Sequence, residues 1–243
     1  MASTPVGLVG SGEFTPATEA VDLELLKGRP QRVVFLPTAA APEGETTLRY
    51  WTDLGTTHYR RLGIPAQPLM VRTREDAFSA ALAAEIEGAG LIYLSGGDPA
   101  YLAATVTGTA VGDAIREAWT KGTAVAGCSA GAVALMERVP DVRAAGRPFV
   151  EGLGLVTGMM LLPHFDQLEK WVPGVTEWAL QALPAGTELL GVEEDTALVG
   201  GPREWRVLGR QRAWKLSRDG AHRSFAAGEV LDLGAGSAAS RPA

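Results

Sequence analysis

Thr123-Ala-Val-Ala-Gly-Cys-Ser-Ala-Gly-Ala-Val-Ala-Leu135 decides the reading of this chain. Its first four residues are a buried-strand run, and the segment from Ala130 to Arg138 has the composition of a helix. Between them stands Gly127-Cys128-Ser129-Ala130-Gly131, a Gly-x-Ser-x-Gly sequence. A strand that turns at once into a helix strains the residue at the apex, so its neighbours must be small. Gly127 and Gly131 are symmetric about Ser129, which makes Ser129 the apex and turns Cys128 elsewhere. The serine hydroxyl then stands at the carboxyl end of a sheet. The start of the following helix favours negative charge there.

Working outward, short apolar runs alternate with helical segments. Strands are expected at Pro5–Val9, Arg32–Leu36, Pro68–Val71, Leu91–Leu94, Gly154–Leu162 and Glu188–Val192. Helices are expected at Glu45–Leu62, Asp76–Glu87, Thr109–Lys121 and Asp166–Leu183. That alternation predicts an α/β fold, with a mostly parallel sheet and helices on both faces. Thr196–Val199, Trp205–Gly209, Ala213–Leu216 and Glu229–Leu233 are short and separated by turn residues. They predict antiparallel hairpins at one edge. No linker interrupts residues 1–233, which read as a single domain. Gly234–Ala243 reads as a frayed tail.

Bulk composition narrows the function. The chain has 243 residues, 46% of them hydrophobic, enough for a sizeable core. The formal charge is -6 with no basic run of five or more, which argues against nucleic acid as a partner. One cysteine excludes a disulfide within the chain, and with three histidines it makes a structural zinc site improbable. No run reaches about 18 apolar residues, and Met-Ala-Ser-Thr-Pro is not a leader peptide. The expectation is a cytoplasmic protein without membrane contact.

A serine nucleophile needs a base. His58 lies among charged residues of a helix and reads as solvated. His222 follows Asp219-Gly220 in an exposed turn. His164 instead ends the apolar run Met159-Met-Leu-Leu-Pro-His164, at the sheet edge where open α/β folds bind ligands. It is the candidate base. The acid that orients it should lie in Gly191-Val-Glu-Glu-Asp-Thr196. Successive strand residues face opposite ways, so Glu193 and Glu194 cannot both face the site if the strand continues through them. Glu194 is preferred, with Glu193, Asp166 and Asp141 as alternatives. In Leu91-Ile-Tyr-Leu-Ser-Gly-Gly-Asp-Pro-Ala-Tyr-Leu102, paired glycines permit close approach of backbone N–H groups. Gly97 and Ala130 are the candidate oxyanion donors. Asp98 reads as a helix N-cap followed by Pro99, with substrate binding as a second role.

These segments, namely Gly96-Gly97-Asp98, Gly127-Cys-Ser-Ala-Gly-Ala132, Pro163-His164-Phe165 and Glu193-Glu-Asp-Thr-Ala197, resemble in order and spacing the dipeptidase E and cyanophycinase family of serine peptidases. The resemblance spans about residues 6 to 215. It implies a flavodoxin-like, class I glutamine amidotransferase-like fold, a Ser129-His164-Glu194 triad, no metal or organic cofactor, and a homodimer acting on small peptides. Two departures concern specificity. Asp98 stands where dipeptidase E usually has Asn, and Phe165-Asp-Gln-Leu-Glu-Lys-Trp171 lacks the arginines that cyanophycinases carry after the histidine. Arg143 and Arg147, between the elbow and His164, are the candidates for that role, and no motif places them. The expected function is hydrolysis of dipeptides or the N-terminal end of short peptides, with aspartyl specificity among the options. The alternatives are a cyanophycinase-like or other amide or ester hydrolase, a glutaminase partner of a synthase, and a non-catalytic binding protein on the same fold.

Overall fold

The computed structural model describes residues 4–141 and 149–234. Arg143, Arg147 and residues 235–243 of the expected tail lie outside them.

The chain begins with strand β1 (Val6–Val9), helix α1 (Glu19–Leu26) and strand β2 (Val33–Leu36). Helix α2 (Glu45–Arg61), strand β3 (Ala66–Pro68) and the short helices α3 (Arg74–Ala77) and α4 (Ala80–Ala84) follow. Strand β4 (Leu91–Leu94) leads through helices α5 (Pro99–Val106) and α6 (Ala110–Thr120) to strand β5 (Ala124–Cys128) and helix α7 (Ala130–Ala134). A small hairpin, β6 (Arg138–Pro140) and β7 (Phe149–Glu151), precedes strand β8 (Met159–Leu162). Helices α8 (Phe165–Trp171) and α9 (Val175–Ala182) then cross to β9 (Glu188–Val192). Five strands finish the fold: β10 (Thr196–Gly200), β11 (Glu204–Gly209), β12 (Arg212–Leu216), β13 (Arg223–Ala226) and β14 (Val230–Asp232).

The main sheet has the order β14-β11-β10-β1-β5-β4-β2-β3. From β1 to β3 every pairing is parallel, and β10, β11 and β14 extend the β1 edge antiparallel. Counted from β2, the parallel strands run 2-1-3-4 with β1 fifth, a doubly wound order. The continuous apolar runs follow from burial on both faces. Ile92 and Leu94 join the core that holds Leu102, Val106 and Ile115 of α5 and α6, while Leu91 and Tyr93 join the opposite one, with Leu25 of α1 and Tyr59 of α2.

Several elements differ from those expected of the sequence. The late hairpins do not all build one edge: β12 and β13 join β9 and β8 in a second sheet, order β13-β12-β9-β8. The two sheets share a core, in which Leu161, Leu190 and Phe225 meet Leu8, Leu198 and Val207. The expected helix Asp76–Glu87 is two short helices, because Thr73 and Ser79 each cap a separate start. The expected helix Asp166–Leu183 is broken at Pro173-Gly174, with Gly174 left-handed. Helix α7 stops at Ala134, and Arg138 belongs to a strand. The strand expected at Pro68–Val71 lies at Ala66–Pro68, and the one expected from Gly154 begins at Met159. Helix α1 and strand β13 carry too weak a pattern to be read.

Candidate active site

The parallel strands deliver their carboxyl ends to one place. Strand β5 ends at Cys128, and Ser129 takes φ 51° and ψ −114°, the strained corner expected of a nucleophile elbow. The corner closes only with glycine on either side. A Cβ on Gly127 would sit 2.2 Å from the Gly131 carbonyl carbon, and one on Gly131 would sit 2.0 Å from Leu94 O. The Ser129 N–H donates to Val9 O at 2.9 Å, so the end of β1 clamps the turn.

His164 comes from the second sheet. It follows β8 in the left-handed region, φ 51° and ψ 35°, and its carbonyl accepts the first hydrogen bonds of α8, from Gln167 and Leu168. Phe165 lies against β9 at Gly191, where a Cβ would come within 2.5 Å of the ring. This packing fixes the start of α8 and the imidazole with it. His164 Nδ1 lies 3.0 Å from Glu194 Oε1, and its Nε2 lies 2.9 Å from Ser129 Oγ. With the proton on Nδ1, the imidazole donates to the carboxylate and accepts from the serine hydroxyl. All three side chains are half-buried.

The other acids have different partners. Strand β9 ends at Val192, so Glu193 and Glu194 sit in the turn beyond it. The Glu193 carboxylate accepts from Trp214 Nε1 at 2.7 Å and from Arg212 N–H at 2.9 Å. Asp166 Oδ1 accepts the Glu194 N–H at 2.8 Å, and Gln211 and Thr196 donate to the Glu194 carbonyl at 3.0 Å each. Glu194 is thus held by its backbone from three sides. Partial burial raises the Asp166 carboxyl, but its hydrogen bonds from Glu194 N–H and Gln167 outweigh that and hold it below the usual range. Asp141 lines a cavity of about 270 Å³ with Gly97, Asp98, Pro99 and Glu43.

Asp98 caps α5, accepting Tyr101 N–H at 3.0 Å, and Pro99 takes the first helical position. Gly97 is exposed at φ 139°, a conformation open to glycine. Neither the Gly97 nor the Ala130 N–H is engaged by a hydrogen bond among the described residues. Cys128 is fully buried, and its thiol donates to Glu13 Oε2 at 2.7 Å. Burial first, then the nearby Glu13 carboxylate, push the thiol well above its usual range. Glu13 is the residue that sequence reasoning missed. It follows Gly10-Ser11-Gly12, and only that glycine-flanked loop at a strand end marks it.

The remaining histidines divide. His222 is exposed as expected. His58 is not solvated: it is 2% exposed, and its Nε2 lies 2.7 Å from Asp22 Oδ2. Its position on the inner face of α2 outweighs its charged neighbours in sequence. Among the described residues, no three His, Cys, Asp or Glu side chains gather as a metal site, and no helix is long and apolar enough to cross a membrane.

A strained serine at a strand-to-helix corner, bonded to an imidazole that is bonded to a carboxylate, is the constellation of a serine hydrolase on an α/β sheet. The family comparison gives the particular kind. Peptidase family S51 matches residues 7–205, and the chain belongs to this family; it is a serine peptidase. A crystal structure of a peptidase from an acI-B1 Actinobacterium is 36% identical, with TM-score 0.87, over 95% of this chain and 97% of that one. The structure of a putative peptidase E protein from Listeria monocytogenes EGD-e shares the fold at 18% identity and TM-score 0.58, over 93% of this chain and 99% of that one. A search among curated proteins found no match.

Proposed function

We propose that this peptidase hydrolyses dipeptides or the N-terminal end of short peptides through a Ser129-His164-Glu194 triad and an acyl-enzyme. The observation that carries the reading is the unbroken row of contacts, 2.9 Å from Ser129 Oγ to His164 Nε2 and 3.0 Å from His164 Nδ1 to Glu194. As Ser129 Oγ attacks the scissile carbonyl carbon, His164 Nε2 takes its proton. Glu194 keeps the second ring proton on Nδ1 and stabilises the imidazolium that forms. The Gly97 and Ala130 N–H groups hold the oxyanion. His164 then protonates the leaving amine. A water molecule, deprotonated by the same imidazole, cleaves the acyl-enzyme.

The surroundings of the site support a small substrate. The cavity beside Gly97 is small, and it is lined by Glu43, Asp98 and Asp141. Acids there suit the α-ammonium group of a short peptide, with Asp98 contacting it. The family resemblance supports a homodimer working without metal or organic cofactor, and a single, buried cysteine suits a cytoplasmic location. The test is a panel of dipeptides and aminoacyl anilides with Asp-X, basic-X and apolar-X members, given to wild type and Ser129→Ala. Cleavage of one class by wild type alone supports the reading. No cleavage, or equal cleavage by the variant, overturns it.

A further inference from the structure

Glu13 is the buried charged group nearest the elbow that the triad does not use. It follows β1 in the loop Gly10-Ser11-Gly12 and is 6% exposed. Both its oxygens are engaged. Oε1 accepts the Gly96 N–H at 2.9 Å, and Oε2 accepts the Cys128 thiol at 2.7 Å. Cys128 is the last residue of β5, and Gly96 lies two residues beyond β4. One carboxylate therefore ties together the ends of two adjacent parallel strands. Each tie falls one residue before a group used in the proposed chemistry: Ser129 follows Cys128, and Gly97 follows Gly96. A Cβ on Gly96 would lie 3.0 Å from Glu13 Oε1 and 3.6 Å from Ser129 Cβ, so carboxylate and nucleophile flank the same glycine.

The Gly96–Gly97 peptide carries the expected donor N–H, and two glycines give it wide rotational freedom. Its neighbours remove that freedom. The Ser95–Gly96 peptide is held by Glu13, and the Gly97–Asp98 peptide by the Asp98 N–H donating to Ala39 O at 2.8 Å. A buried carboxylate is unfavourable unless its oxygens are hydrogen-bonded, and here both are bonded at the strand ends that carry the proposed chemistry.

We propose that Glu13 is a positioning residue for the oxyanion site: it locks the Gly96–Gly97 segment onto the elbow so that the Gly97 and Ala130 N–H groups converge on one oxygen. The proposal rests on the Ser129 reading above and deepens it. Glu13 touches no substrate; it acts through Gly96.

The test uses full-length protein and a fluorophosphonate probe, whose adduct on serine carries an oxygen in the oxyanion position. The limiting inactivation rate and the half-saturating probe concentration are measured for wild type, Glu13→Ala, Glu13→Asp and Glu13→Gln, each normalised to folded protein, with Tm measured alongside. The Asp side chain keeps the charge but is one methylene too short to span both partners; Gln keeps an acceptor for Gly96. The expected result is a fall of about 10- to 100-fold in the limiting rate for Ala and Asp, at an unchanged half-saturating concentration. Gln recovers most of that loss. If Ala does not fold, Asp against Gln decides. A residue that only supports the fold would lower Tm and leave the limiting rate per folded molecule within two-fold of wild type; that result overturns the proposal, as does an equal loss in Asp and Gln. Failure of the underlying reading looks different, since wild type would then go unlabelled or Ser129→Ala would label as wild type does.

Discussion

His164 Nδ1 lies 3.0 Å from Glu194 Oε1, across 30 residues of chain and between two strands of the second sheet. Its neighbour Glu193 is turned the other way, onto Trp214 and Arg212. The two acids are adjacent in sequence and opposed in space, so they make a matched pair of probes. Glu194→Gln should lower kcat by about 10²- to 10⁴-fold, through loss of the tautomer and of support for the imidazolium. Glu193→Gln should stay within about three-fold. Steady-state kinetics of both variants on one cleaved substrate decides; the reverse ranking would assign the acid to Glu193.

Asp166 gives a pH signature. Its carboxyl is held below the usual range, so its folded pKa is lower than its unfolded one. Such a group contributes stability that is complete above the ordinary carboxylate value and is lost as pH falls through the lowered one. The Tm difference between wild type and Asp166→Asn should therefore be constant above about pH 5 and shrink below about pH 4. A difference that grows on acidification would contradict the hydrogen bond from Glu194 N–H as its cause.

The glycines of the elbow are predicted to be intolerant. Gly127→Ala and Gly131→Ala would each drive a methyl carbon within about 2.3 Å of backbone atoms, which no side-chain rotation can relieve. Each should cost at least about 2 kcal/mol by denaturant unfolding, together with activity. Gly122→Ala is the control for space, because nothing lies near its added Cβ; at φ 107° it carries backbone strain alone.

Much of this site is legible in the chain because its demands are local. An apex serine needs small residues at fixed offsets, and Gly127 and Gly131 write that requirement directly. His164 ends an apolar strand, and a strand end in a parallel sheet is where a base can stand. Glu194 over Glu193 is harder, because the deciding contacts come from Trp214, Arg212 and Gln211 on a distant hairpin. The division of the late strands into two sheets is harder still. Which strand pairs with β9 depends on long-range register, not on any pattern within β12 itself. His58 reads as solvated, and Glu13 goes unread, for one reason: the buried partner of a charged side chain comes from a distant part of the chain.

That partner, for His58, makes a stability prediction. Asp22 is 1% exposed, and Tyr59 also donates to it, from its hydroxyl at 3.3 Å. Removing one member strands the other in the core beside Phe14. Asp22→Ala and His58→Ala should each destabilise by about 3–5 kcal/mol. The double variant should cost clearly less than the sum, and an additive double-mutant cycle would contradict the pairing.

Ser129, not the adjacent Cys128, is the expected nucleophile. Mass spectrometry of the native protein after treatment with a fluorophosphonate and, separately, with iodoacetamide distinguishes the two. The expected result is one phosphonyl adduct, mapped to Ser129 and absent from Ser129→Ala and His164→Ala. No alkylation of Cys128 is expected until the protein is unfolded, since the thiol is buried and held on Glu13. An adduct on Cys128 in the native state, or phosphonylation that survives loss of His164 at full rate, would contradict that assignment.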